Sequence, residues 1–138
     1  MPDFDTCAAL FKALAHPVRL QILSLLRAGE VCVCHMEAAL GKRQAYISQQ
    51  LMILREAGLI DSRKEGRQVF YWITEERTLR LLDDLFGPAP AENPALEECS
   101  CPRCTAANLF ATVHPIKEED IHAHHQSARP RLPQLPEG

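Results

Sequence analysis

The six cysteines of this 138-residue chain fall in three places: Cys7 alone, Cys32 with Cys34 in "EVCVCHME", and Cys99, Cys101 and Cys104 in "CSCPRC". Thiolates are soft ligands, so such groups point to arsenite, cadmium, lead, mercury or copper(I), with zinc included, and away from magnesium, calcium or manganese. On a helix, residues two apart point about 200° from one another and cannot chelate one ion. In an extended segment they share a face. Val31 and Val33 alternate with Cys32 and Cys34. That period of two predicts an extended lead-in whose valines are buried and whose thiols are exposed toward one soft ion.

A third ligand must come from elsewhere or be absent, and two sources stand open. Cys7 shares a helical stripe with Phe4, Phe11 and Leu14, so it is either a ligand or a small buried residue. Three cysteines within six residues of a Pro-containing loop are hard to explain as packing. They could complete the first site, form a three-thiolate site of their own, or bind zinc with a nearby His. His35 could be a ligand but reads rather as a solvated or capping residue, and His16, before Pro17, as structural. His114, His122, His124 and His125 could bind metal, yet in a polar tail they read rather as solvated.

The elements that must position these thiols follow from the apolar pattern. Phe4, Cys7, Phe11 and Leu14 mark a first helix. Pro17 suits the first position of a second, apolar on most sides, which Gly29 stops. Met36 to Leu40 reads as a short third helix ending near Gly41. A longer one follows from about Gln44 to Ala57, buried through Ile47, Leu51 and Leu54 and stopped by Gly58. In "LIDSRKEGRQVFYWI", two β-rich runs flank the polar turn Lys64-Glu65-Gly66-Arg67, which predicts a hairpin. Glu75 to Phe86 closes the set, with Thr74 as cap and Leu79, Leu82 and Phe86 on one face. The fold expected is mainly α with a β-hairpin wing, a winged helix-turn-helix over residues 1–87. Eight of the 10 prolines lie beyond Phe86. Residues 88–138 read as a Pro-rich, acidic, Cys/His-containing tail, largely irregular, with a short helix near Ala106 to Val113.

A helix-turn-helix reads DNA with the early residues of its second helix. Gln44, Tyr46, Ser48 and Gln49 occupy those places; Gln pairs with adenine, while Ser and Tyr contact bases or phosphates. Lys42 and Arg43 sit where backbone phosphates would be, and Arg63, Lys64 and Arg67 lie on the wing. The net charge of -3 conceals an asymmetry. Residues 1–80 carry 11 Lys/Arg against 9 Asp/Glu, and residues 81–138 carry 4 against 9. The acidity belongs mostly to the tail, which leaves the first part suited to DNA. No apolar run is long enough for a bilayer and no signal peptide opens the chain, so no membrane partner and a cytoplasmic, reducing location are expected. No nucleophile–base pair, phosphate loop or carboxylate pair suggests an enzyme.

The segments "LFKALAHPVRLQILSLL", "EVCVC", "QAYISQQLMILREAGLI" and "RKEGRQVFYWI" together resemble the ArsR/SmtB family of metal-responsive repressors, over about residues 4–86. The resemblance implies a homodimer built by the first and last helices, bound to operator DNA at half-sites about 34–36 Å apart. It also implies release when a thiophilic inducer binds, arsenite first, then cadmium or lead. Cys32 and Cys34 match the family's thiol-rich inducer motif. This chain departs from the arsenite sensors in carrying His35 and Glu37 where they often have an acidic residue and a third cysteine. The closing helix lacks the His that the zinc site of some relatives needs. An alternative of the same fold is a repressor switched by thiol redox or persulfide chemistry.

Overall fold

The computed structural model describes residues 2–96 and 98–106. The order is α1 (Phe4–Leu14), α2 (Pro17–Leu26), β1 (Val31–Cys32), α3 (Val33–Leu40), α4 (Gln44–Glu56), β2 (Ile60–Glu65), β3 (Gln68–Ile73) and α5 (Glu76–Phe86). A three-stranded antiparallel sheet has the order β1-β3-β2. The winged helix-turn-helix expected from the sequence is therefore the fold observed.

Local chemistry accounts for the helix starts. Asp3 caps α1 by accepting the Thr6 N–H at 3.1 Å. His16 has the structural role expected of it: its Nδ1 accepts the Val18 N–H at 3.2 Å and caps α2, with Pro17 in the first turn. Gly41 ends α3 with φ 62°, a left-handed conformation that favours glycine and turns the chain into α4. Pairing of Glu65 with Gln68 leaves a two-residue turn at the wing tip, where Gly66 supplies φ 60°.

Ile22, Leu23, Met36, Ile47, Leu51, Leu54 and Leu82 are fully buried and lock α4, the helix expected to read DNA, against its scaffold. Burial of each such side chain contributes roughly 1.5–3 kcal/mol. Arg19 adds a polar tie. Its guanidinium donates to the carbonyls of Ala13 and Lys12 and, at 3.0 Å, to Oε1 of the buried Gln50. A single side chain thus joins α1, α2 and α4.

Three expectations change. The third helix starts at Val33 rather than Met36, because Cys32 already sits in the extended cap position. Glu75, not Thr74, is the N-cap of α5; the Thr74 hydroxyl instead donates to the Gly58 carbonyl. The stripe on α1 is open within the chain, with Phe4 74% and Phe11 59% exposed, and Phe86 on α5 is exposed as well. These aromatics sit on the two helices from which a dimer is expected. Beyond α5, the described residues between 88 and 101 form no helix or strand, and residues 102–106 are helical. The helix expected near Ala106 to Val113 lies, apart from its first residue, outside the described residues, as do the four tail histidines.

Candidate metal centre and nucleic-acid interface

Cys32 ends β1 opposite Phe70 and has extended dihedrals, φ -85° and ψ 160°. Cys34 follows in the first turn of α3. This strand-to-helix junction, not a continuous extended clasp, brings the two sulfurs to 2.9 Å. The expected division into buried valines and exposed thiols is also corrected. Val31 and Cys32 are buried, while Val33 and Cys34 are half-buried. The helix turns Cys34 inward, where its Sγ lies 3.4 Å from Oε1 of Gln68 on the wing.

The tail supplies the remaining sulfurs. The Asn93 side chain donates to the Leu25 carbonyl at 2.7 Å and anchors the segment that carries "CSCPRC" back over α3. Cys101 precedes Pro102, the first residue of the 102–106 helical turn, and its Sγ accepts the Cys104 N–H at 3.5 Å. It stands where a Ser or Asp cap would. Cys99 Sγ lies 3.7 Å from Cys34 Sγ. The sulfurs of Cys32, Cys34, Cys99 and Cys101 all fall within 4.8 Å of one another. Cys99, Cys104 and His35 form a second group by the same measure. Cys7, half-buried on α1, belongs to neither group among the described residues.

His35 departs most from expectation. It is buried, with Nδ1 3.2 Å from Cys104 Sγ and Nε2 without a hydrogen-bond partner among the described residues. It reads as solvated in the sequence because α3 alone would expose it; the returning tail covers it.

Burial controls the protonation of these groups. It pushes the thiols of Cys32, Cys34 and Cys99 above their ordinary 9.0 and raises Cys104 to about 11. Burial acts the same way on Cys101, yet the Cys104 N–H and the neighbouring thiols outweigh it and bring Cys101 down to about 7. Burial, and then the Arg103 charge, lower His35 below 6.5 and keep it neutral. The cluster is thus a nearly uncharged donor set with one acidic thiol, suited to exchanging protons for a soft cation.

The side chains expected to face DNA differ in exposure. Lys42, Arg43, Gln44, Ser48 and Gln49 are exposed, whereas Tyr46 is half-buried against the core. Lys64 and Arg67 are exposed near the wing tip. Arg63 is engaged within the chain. It donates to the Glu30 carboxylate at 2.7 and 3.2 Å and to Glu65 at 2.5 Å, and lies over the Phe70 ring at 5.0 Å. Glu30, whose carbonyl also accepts from Arg103 at 3.4 Å, therefore stands between the thiol cluster and the wing. Sequence reasoning missed Glu30, Gln68 and Arg103. The position of Arg103 inside "CPRC" was the one available signal.

A family model described as "Bacterial regulatory protein, arsR family" matches residues 16–62, a span that includes Cys32 and Cys34 and excludes the tail cysteines. The biofilm growth-associated repressor of Agrobacterium fabrum is 47% identical over 88 residues, covering 62% of this chain and 75% of that protein. The chain belongs to the ArsR family. The arsenical resistance operon repressor of Escherichia coli is 49% identical over 63 residues, 45% of this chain and 54% of that one. The solved homodimeric winged helix-turn-helix domain of a possible ArsR-family regulator from Mycobacterium bovis superposes with a TM-score of 0.55 at 38% identity. It covers 59% of this chain and 76% of that one. The ArsR-family relatives are transcriptional regulators, and this chain is a transcriptional repressor of that family with a DNA-reading fold. No single helix among the described residues is long and apolar enough to cross a membrane.

Proposed function

We propose that this ArsR-family chain binds operator DNA as a homodimer and lets go when Cys32, Cys34, Cys99 and Cys101 hold a soft metal(loid) ion. The observation that carries this reading is the convergence of four sulfurs, two from the α3 start and two from the tail, within 4.8 Å of one another. The donor set fits. With zinc–sulfur bonds of about 2.3 Å, tetrahedral ligation separates sulfurs by about 3.8 Å. The Cys34–Cys99 distance of 3.7 Å meets that value, and the Cys32–Cys34 pair at 2.9 Å needs to open slightly. The bound ion would supply positive charge that holds the thiols as thiolates. The fourth sulfur favours cadmium or zinc over arsenite and lead, for which three thiolates suffice.

Coupling to DNA runs through this chain's own side chains. Arg103, between Cys101 and Cys104, donates to the Glu30 carbonyl, and the Glu30 carboxylate holds Arg63 on β2. Tightening the tail sulfurs onto α3 fixes Glu30 and, through it, the wing arginine. The Glu30–Arg63 pair is half exposed and screened by solvent, so its contribution is small. It supplies only part of an allosteric coupling, typically about 1–3 kcal/mol. The exposed aromatics of α1 and α5 support the dimer, since a partner copy would cover them.

Fluorescence anisotropy of promoter DNA, titrated with cadmium, zinc, lead and arsenite, tests the proposal. Wild type should release DNA, while Cys32→Ser/Cys34→Ser and Cys99→Ser/Cys101→Ser variants should bind DNA and ignore the ions. Normal release from either variant would refute the site. The 2.9 Å approach of Cys32 and Cys34 supports a second reading, a thiol redox or persulfide switch. Release by oxidant in the presence of chelator, with no response to any ion, would establish it instead.

A further inference from the structure

We infer that the cluster holds two soft divalent ions rather than one, bridged by the Cys99 thiolate, with Cys104 and His35 as the outer ligands of the second. This rests on the metal-binding reading above and adds a second site to it. Cys99 belongs to both groups of mutually close donors: with Cys32, Cys34 and Cys101 on one side, and with His35 and Cys104 on the other. A thiolate has lone pairs for two ions.

Neither outer ligand has another evident task. Cys104 is 1% and His35 5% exposed. The His35 Nδ1 faces the Cys104 sulfur at 3.2 Å, and its Nε2 makes no hydrogen bond among the described residues. A buried imidazole with an unpartnered nitrogen is costly unless a ligand satisfies it. A single-ion site leaves this cost in place.

Charge points the same way. One divalent ion on four thiolates leaves a buried charge of about -2, which desolvation opposes. Adding the Cys104 thiolate and a second ion reduces this to about -1 over five sulfurs, since neutral imidazole contributes none. The Arg103 guanidinium, which lines the same cavity as His35 and Cys104, matches that residual charge. The cavity, about 560 Å³ and lined also by residues 90–95, adjoins His35 and Cys104, two of the second ion's three ligands. A water or small anion there would complete a four-coordinate shell.

The test is cadmium stoichiometry of the full-length, reduced chain under anaerobic conditions. It is followed by thiolate-to-cadmium ultraviolet absorption and by elemental analysis after passage over a weak chelating resin. Two cadmium ions per chain are expected, falling to one in His35→Gln/Cys104→Ser, whose fold is checked by circular dichroism. In ¹¹³Cd NMR the wild type should give two resonances, and the one lost in the variant should be that of the nitrogen-containing environment. One ion per chain in wild type overturns the second site and leaves the single-ion sensor standing; none overturns both. Two ions that persist in the double variant place the second elsewhere, and the inference fails.

Discussion

Cadmium binding should release several protons at once. In the ion-free protein, burial holds the thiols of Cys32, Cys34 and Cys99 above 9, so each carries its proton at neutral pH. Cys101, at about 7, carries half of one there. Converting all four to thiolates at pH 7 with the first equivalent of cadmium should therefore release ~3.5 protons. At pH 6 Cys101 is almost fully protonated and the number approaches ~4. The apparent affinity should then fall by roughly 3.7 log units between pH 7 and pH 6, because the slope equals the protons displaced. Calorimetry in two buffers of different ionisation enthalpy counts the protons, and competition with a chromophoric chelator follows the affinity. Cys101→Ser should reduce the release to ~3 and make it independent of pH across this interval. A release of one proton or fewer in the wild type would refute the four-thiol assignment.

Other outcomes follow from individual contacts. The Arg27 side chain is 3% exposed and meets Asp83 at 3.1 Å and the Gly87 carbonyl, pinning α5 to the end of α2. Its Nε is close to the carboxylate but not aimed well enough for a hydrogen bond. Arg27→Ala should still lower the unfolding free energy by about 2–3 kcal/mol in urea titrations, through loss of the charged contacts. His35 is held neutral in the fold, so below 6.5 the unfolded chain binds a proton that the native state rejects. The ion-free protein should therefore lose stability as pH falls through this value and be unaffected by His35 above it; His35→Gln should flatten the profile. Gln44→Ala and Gln49→Ala should each weaken operator binding by about 1–3 kcal/mol and relax base preference. Lys42→Ala should reduce the salt slope by about 0.9 without changing sequence preference, as filter binding at several salt concentrations would show. Glu30→Gln should leave cadmium affinity unchanged while shrinking ion-induced DNA release by about twofold to fivefold.

Much of the fold is legible in the sequence because its signals are local. Pro17, Gly41, Gly58 and Gly66 set helix starts, stops and the wing turn through their own dihedral preferences. The spacing of Ile47, Leu51 and Leu54 commits α4 to burial without knowledge of what covers it. The pair Cys32 and Cys34 is visible as a chelating motif for the same reason. Its exact form is not, because the choice between one more extended residue and the first turn of α3 depends on pairing of Val31 with Tyr71 and Cys32 with Phe70. That contact spans some forty residues of sequence.

What only the tertiary structure decided is which thiols meet. Sequence spacing left both Cys7 and "CSCPRC" open for completing the site, since loop closure over about sixty residues costs little more than over thirty. The return of the tail, fastened by Asn93 on Leu25 and Arg103 on Glu30, puts Cys99 and Cys101 beside Cys34 and buries His35 beneath Cys104. Sequence determines the donor types, and hence the softness of any ion they hold. Tertiary packing sets their number and their protonation, because both depend on which buried groups become neighbours.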